Sequence, residues 1–353
     1  MNRIKQIIED SVATERFNIN SLFKELIKID EIKELHNEYT SIVEPKIAKK
    51  ILIGIIRFSY LIEPVKVPKI ESTKFAYRWG DELTSDDPRR AEFEICKLIS
   101  DNLFQDVLNA LRDNDRMEIL KNIISHTLIP YEINIDYINR ITDRRIHTPD
   151  NIALFWDEDF ISVFKLRESL LNLSINTYAS FFSRAYDKIC VKSYLTDRVL
   201  TGEHKTNREK RWECHPKSVH FALRKECLKI EKKLINQIFH FENFPDDLKT
   251  ILSERRLLNA QNEVSRCPIT LNKISFVNFK EEVLNPIHGK ASLQVGHMHP
   301  LKSGLENTIM GHSAENISWI SSVGNRIQGE LSVDETQSLI KTIFSNYKEA
   351  GIL

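Results

Sequence analysis

Near the end of the 353-residue chain, the stretch LQVGHMHP sets His297 and His299 one residue apart, just ahead of Pro300. An imidazole titrates near neutrality and can take a proton from water. Asn325 follows His297 by 28 positions, and Arg326 is beside it. A carboxamide oxygen is a hard donor that suits Mg²⁺, an ion that keeps most of its waters and completes its shell with substrate phosphate. A guanidinium offers paired donors to phosphate oxygens. Phosphodiester hydrolysis needs these three things: a base for water, a cation where charge builds on the phosphoryl group and the departing 3′ oxygen, and rigid placement of both. The interval between His297 and Asn325 has room for a loop, a short strand and the first turn of a helix.

The whole segment LQVGHMHPLKSGLENTIMGHSAENISWISSVGNRIQGEL resembles the ββα-metal motif of HNH endonucleases, the His-Me finger group, in three places. His297-Met298-His299-Pro300 is similar to the strand-end H-x-x-P of that family, Glu315-Asn316-Ile317 to its central N-L, and Gly324-Asn325-Arg326-Ile327-Gln328-Gly329 to its C-N-R-x-K-G. The resemblance implies that His297 is the general base, that Asn316 braces the loop that orients it, and that Asn325 holds the metal. Most members carry Asp or His just before the base as a second ligand, whereas this chain has Gly296. In that respect it is similar to the DRGH nucleases and some His-Cys box homing enzymes, where one asparagine is the sole protein ligand. Asn325 would then bind Mg²⁺, or Mn²⁺ in its place, with His299 as the alternative ligand. Gln328 stands where a lysine is frequent in the family.

Other constellations are weaker. Cys267, in CPIT, occupies the place of the first zinc cysteine of many HNH proteins but has no second cysteine near it, so a structural zinc is not expected. Cys214-His215 with His220 lacks a fourth ligand. Pro149-Asp150 followed by Glu203-His204-Lys205 matches a PD-(D/E)xK pattern only nominally. No P-loop, G-x-G-x-x-G or serine nucleophile elbow is present.

The rest of the chain must position these groups. Lys+Arg and Asp+Glu both number 50, so net charge names no partner. Locally, residues 184–233 hold fourteen basic side chains against seven acidic ones. A basic face there suits phosphate contacts, and TGEHKTNREKRWECHPK reads as a loop able to enter a groove. Arg208, Lys210 and Arg211 in that run, with Lys302 and Arg326 near the histidines, are the candidate phosphate-binding residues. Five cysteines without a C-x-x-C pair fit a reducing cytoplasm. The first residues carry acids and no apolar h-region, and the apolar run ILIGIIRFSYLI at 51–62 is too short and too charged to span a bilayer, so no membrane partner is expected.

Apolar residues recur at three- and four-residue steps over residues 1–60, which predicts helices. Residues 62–90 read as a long ordered loop or short strands, with Asp86-Asp87-Pro88 opening a helix that runs from about 89 to 126. NIALFWDEDFISVFKLRESLLNL and NTYASFFSRAYDKICVKSYL read as further helices, and HFENFPDDLKTILSERRL starts another at Pro-Asp-Asp. SFVNF and ASLQV alternate like short strands, ISWIS is a third short β candidate, and VGNRIQGEL reads as a helix. The expected fold is α+β: a mainly α-helical N-terminal part over 1–245, with a break near 62–90, for DNA recognition and dimerisation, then a ββα-metal (HNH) finger over 246–353.

With the resemblance, these readings imply a Mg²⁺-dependent, sequence-specific endonuclease of the type II restriction kind, acting as a homodimer on double-stranded DNA and leaving 5′-phosphate and 3′-hydroxyl ends. A homing, phage-defence or modification-dependent HNH nuclease would use the same residues. From another class, a DNA-binding protein with a decayed finger is the alternative, for which Gly296 is the sequence argument.

Overall fold

The computed structural model describes residues 2–14, 17–60, 65–66, 73–112, 158–199, 206–211, 214, 218–254, 264–287, 291–301 and 311–353. It is helix-rich, with small antiparallel two-stranded sheets, which is compatible with an α+β class. The chain divides into two compact units. One comprises Met1–Phe164, Trp212–Pro216 and Leu223–Lys225; the other comprises Lys165–Arg211, Lys217–Ala222 and Glu226–Leu353. Among the described residues, no helix is long and apolar enough to cross a membrane.

The first unit opens with the expected helical stretch, which holds four helices: α1 (Arg3–Val12), α2 (Ile19–Leu26), α3 (Asp30–Ile42) and α4 (Pro45–Ser59). Asn2 and Asn18 accept hydrogen bonds from the first turns of α1 and α2, and Pro45 sits at the first position of α4, where its missing N–H costs nothing. The apolar run at 51–62 is a core helix as far as Ser59, with Ile51, Leu52, Ile55 and Ile56 buried. Two-residue strands β1 (Val65–Lys66) and β2 (Thr73–Lys74) pair within the 62–90 stretch. The helix expected from about 89 starts later, as α5 (Phe93–Leu111), and the expected stretch beyond 112 lies outside the described residues. The reason is Asp87, whose carboxylate caps no helix and instead accepts from the Arg89 backbone and side chain, the ion pair closing at 2.7 Å with both side chains buried. Arg78, fully buried, donates to the carbonyls of Phe58 and Arg89 at 2.8 Å and ties this turn to the end of α4.

The second unit contains α6 (Glu158–Leu171, from Lys165 on), α7 (Asn176–Ser193), the hairpin β3 (Leu195–Val199) and β4 (Thr206–Lys210), and α8 (Arg224–Phe239, from Glu226 on). After these come α9 (Asp246–Glu254), α10 (Phe276–Leu284), β5 (Leu293–His297), β6 (Ile317–Ser321), α11 (Ser322–Gln328) and α12 (Val333–Glu349). Two expectations change here. SFVNF, read as a strand, forms the start of α10: Ser275 caps it, and Phe276, Phe279 and Val283 recur at helical steps into the core. Thr206–Lys210, read as groove-entering loop, is a strand that pairs Leu195 with Lys210 through Val199 with Thr206. That stretch is wholly polar, so it carries no apolar alternation to announce a strand.

Aromatic side chains build the core of this unit. Phe181, Phe182, Phe239, Phe244, Phe276 and Phe279 pack mostly edge to face, with Phe239 and Phe244 tilted, and Trp319 of β6 closes on Phe279 with ring centres 4.9 Å apart. The Trp319 indole N–H donates to the Leu234 carbonyl at 2.9 Å, which fixes β6 against α8.

Candidate active site

Strands β5 and β6 pair antiparallel, from Leu293 with Ser321 to His297 with Ile317, and α11 follows directly. Successive side chains of β5 and β6 point to opposite faces, as strand geometry requires, and four successive residues of β6 are buried because both of its faces are covered. Leu293 and Val295 point with Ile317 and Trp319 into the aromatic core. Gln294 lies on the other face, toward α11, where Asn325 Nδ2 donates to its side-chain oxygen at 3.0 Å. Gly324 permits that packing: a methyl group there would stand 2.8 Å from Cys267 Sγ and 3.0 Å from Ser321 Oγ. The helix stops at Gly329, which takes φ 53°.

His297 is the last residue of β5, and its ring leaves the strand on the core face. Its Nε2 lies 2.9 Å from Nδ1 of His312, and Nε2 of His312 lies 2.9 Å from the Ser193 carbonyl oxygen at the end of α7. His312 is buried and His297 half-buried. Burial, with the cations of Arg211 and Lys192 and the ring of His220 nearby, pushes the His297 imidazole down to about 4. Burial and Arg211 push His312 further down, against the Ser193 carbonyl, which favours its proton.

Asn316 occupies the turn before β6 and is 1% exposed. Its Oδ1 accepts from the His299 N–H at 2.6 Å; its Nδ2 donates to the carbonyls of His299 at 2.8 Å and Gly311 at 2.7 Å. The Met298 N–H adds a bond to the Asn316 carbonyl at 2.8 Å. One carboxamide thus ties the end of β5 to the segment that carries His312. Buried Gln328 does similar work from α11, donating to the carbonyls of His297 at 2.9 Å, Met298 at 3.2 Å and Leu331 at 3.1 Å. Helix α8 holds the segment from outside: Ala314 N–H donates to Glu226 at 2.9 Å, and Lys233 donates to the Ala314 carbonyl at 2.5 Å.

The expected site residues fall into separate groups. Asn325 and Arg326 are both exposed on α11. The Asn325 oxygen lies 3.6 Å from where a side chain at position 296 would begin, so Asn325 stands beside Gly296, on the opposite face of β5 from the His297 ring. His299 is exposed, its backbone held by Asn316. Arg211 is not on the surface: it is 6% exposed, donates to the His220 carbonyl at 3.4 Å, and its charge disfavours a proton on both His297 and His312. The backbones of Arg208 and Lys210 lie in β4, and Lys302 is outside the described residues. The basic run is also partly engaged within the protein. Arg184 donates to the carbonyls that end α10, Lys188 pairs with Glu282 at 2.7 Å, and Lys229 with Glu226 at 3.6 Å. Lys192 is exposed.

The sequence marks His312 as a histidine close to the motif but assigns it no specific role or partner. Its only signal was a third histidine in the segment, four residues ahead of Asn316, without periodicity around it. Gln328 was seen only as a missing lysine. Among the described residues, no group of three or more His, Cys, Asp or Glu side chains could hold a metal ion. The donor that fits a hard cation is Asn325: its amide nitrogen is engaged by Gln294, which turns its oxygen toward the open position at Gly296.

No protein-family model matches the chain, and no curated protein does. Among solved structures, one described as the crystal structure of a type II restriction endonuclease is similar over 37% of this chain and 55% of that one, at 19% identity and a TM-score of 0.27. That overlap spans about half of the other chain and is too loose to align site residues.

Proposed function

We propose that the chain is a Mg²⁺-dependent double-stranded DNA endonuclease of the ββα-metal (HNH) kind, in which His297 is the general base and Asn325 the metal ligand. One observation carries the reading: a strand that ends in a histidine, a buried asparagine that clamps the following turn, and a helix that presents Asn325 beside the residue before that histidine. In this reading His297 accepts the proton of the attacking water, and burial keeps its ring uncharged and ready to do so. Asn316 and Gln328 hold the backbone on which that ring is mounted. Asn325 would hold the ion, which when bound supplies charge neutralisation at the phosphate and the leaving oxygen. Arg326, exposed on the same helix, contacts an adjacent phosphate. To act on one phosphate, the base and the ligand would have to reach it past the last residue of β5, since they lie on opposite faces of that strand.

The finer assignment is a sequence-specific enzyme of the type II restriction kind, working as a homodimer, with residues 1–245 for recognition and dimerisation and 246–353 for cleavage. Its support is the length of helical, locally basic chain ahead of the finger, more than cleavage alone requires.

A non-catalytic DNA-binding protein is the second reading. It is favoured by Gly296, which gives Asn325 no partner ligand, and by the placement of His297 and Asn325 on opposite faces of β5. Incubating supercoiled plasmid with the protein and Mg²⁺ or Mn²⁺ separates the two. The nuclease reading expects nicked or linear product, and His297→Ala should lower the rate by about 10²-fold or more while DNA affinity holds. No product from wild-type protein at any salt or metal concentration would leave the binding module.

A further inference from the structure

We infer that His312 is a positioning residue for His297: held by the Ser193 carbonyl, it fixes the tautomer of the His297 ring and leaves Nδ1 as the atom that accepts the proton. The role in cleavage rests on the nuclease reading above; the tautomer assignment does not.

The inference follows from which groups can donate. A backbone carbonyl only accepts, so Nε2 of His312, 2.9 Å from the Ser193 oxygen, carries the hydrogen. A neutral imidazole carries one N–H, so Nδ1 of His312 is an acceptor. Nε2 of His297, 2.9 Å from that nitrogen, must then be the donor. The lone pair of His297 is left on Nδ1. Every link needs His312 neutral, and its surroundings keep it so: it is 4% exposed, and Arg211, His297 and His220 all disfavour a charge there. The anchor is rigid as well. Ser193 is fully buried, and the next residue, Tyr194, donates its hydroxyl to buried Glu231 at 2.6 Å. This is the arrangement by which a second group orients a catalytic imidazole, here with a histidine and a carbonyl in series.

Protein labelled with ¹⁵N in its histidine rings gives the test. At pH 7, two-bond ¹H–¹⁵N correlations should show both His297 and His312 as Nε2–H tautomers. A wild-type spectrum with His297 protonated on Nδ1 overturns the proposal, whether or not the protein cuts DNA. A protein that cuts no DNA yet shows these tautomers sinks the nuclease reading alone. His312→Leu should free the His297 ring, mix its tautomers and lower kcat by about 10- to 100-fold, with KM for plasmid changed little. His312→Asn keeps an acceptor oxygen close to the Nδ1 position and should recover most of kcat and the single tautomer. Cleavage by His312→Leu at the wild-type kcat, or equal losses in folded Leu and Asn variants, would overturn the positioning role.

Discussion

Burial beside Arg211 and Lys192 gives the His297 ring a folded pKa of about 4, below the ordinary imidazole value. His312 moves in the same direction for the same first reason. Protons therefore bind the unfolded chain more readily than the folded one, and the contribution of these rings to stability is complete only above the unfolded pKa. Stability should fall as pH drops from about 6.5 toward 4, the interval between the unfolded and folded values of His297. Thermal unfolding across that interval checks this, and His312→Asn should flatten the slope. At the same scale, Asn316 makes three side-chain hydrogen bonds that hold residues 299 and 311 together. Asn316→Ala leaves those part-buried backbone groups unpaired and should cost about 1–3 kcal/mol. Chemical denaturation reads the loss, and cleavage should fall by more than the unfolded fraction explains, because the His297 backbone loses its clamp. His297 and Asn325 could be named from their types and spacing. The histidine that His297 touches could not, since His312 and Ser193 are 119 positions apart and share no motif.

The β5–β6–α11 element works by using both faces of its strands. Trp319 and Ile317 anchor one face in the aromatic core, while Gln294 and position 296 receive α11 on the other. Gly329 ends α11 at φ 53°, where a side chain is strained. Gly329→Ala should therefore lower stability by about 1 kcal/mol, measured by the same denaturation. Trp319→Ala removes a large buried ring and its bond to Leu234, and should cost about 3–5 kcal/mol, enough to unfold this unit or leave it marginal. Alternation in ASLQV and the short β-prone run ISWIS announced these strands, and VGNRIQGEL the helix. SFVNF misled because a helix that begins with Phe at its first and fourth positions looks like alternation over five residues. Thr206–Lys210 was illegible for the opposite reason: cross-strand bonds to Leu195–Val199 hold it, without an apolar face.

For the whole molecule, equal numbers of acidic and basic residues leave no net field to draw DNA in. Several members of the basic run bind carbonyls or carboxylates of the protein itself. On the proposed function, DNA binding should then depend on a few exposed cations. Arg326→Ala and Lys192→Ala should each lower the slope of log affinity against log salt concentration by about 1. Fluorescence anisotropy on a duplex over a salt series measures this, and an unchanged slope in both variants would remove these residues from the interface.

The residue types, their order and the helical and alternating periods were local properties, so the sequence alone determined the helices of the first sixty residues, the final strand-to-helix element and the candidate base and ligand. Which groups meet was decided only by folding. Arg211 was expected to reach phosphates from a loop, yet it is buried, donates to the His220 carbonyl, and its charge disfavours protonation of two histidines. His312 gained its place from α7, and the turn that carries it is gripped by α8. Contacts between residues so distant in the chain depend on packing and on pairing every buried polar group, and neither is written in the spacing of a short motif.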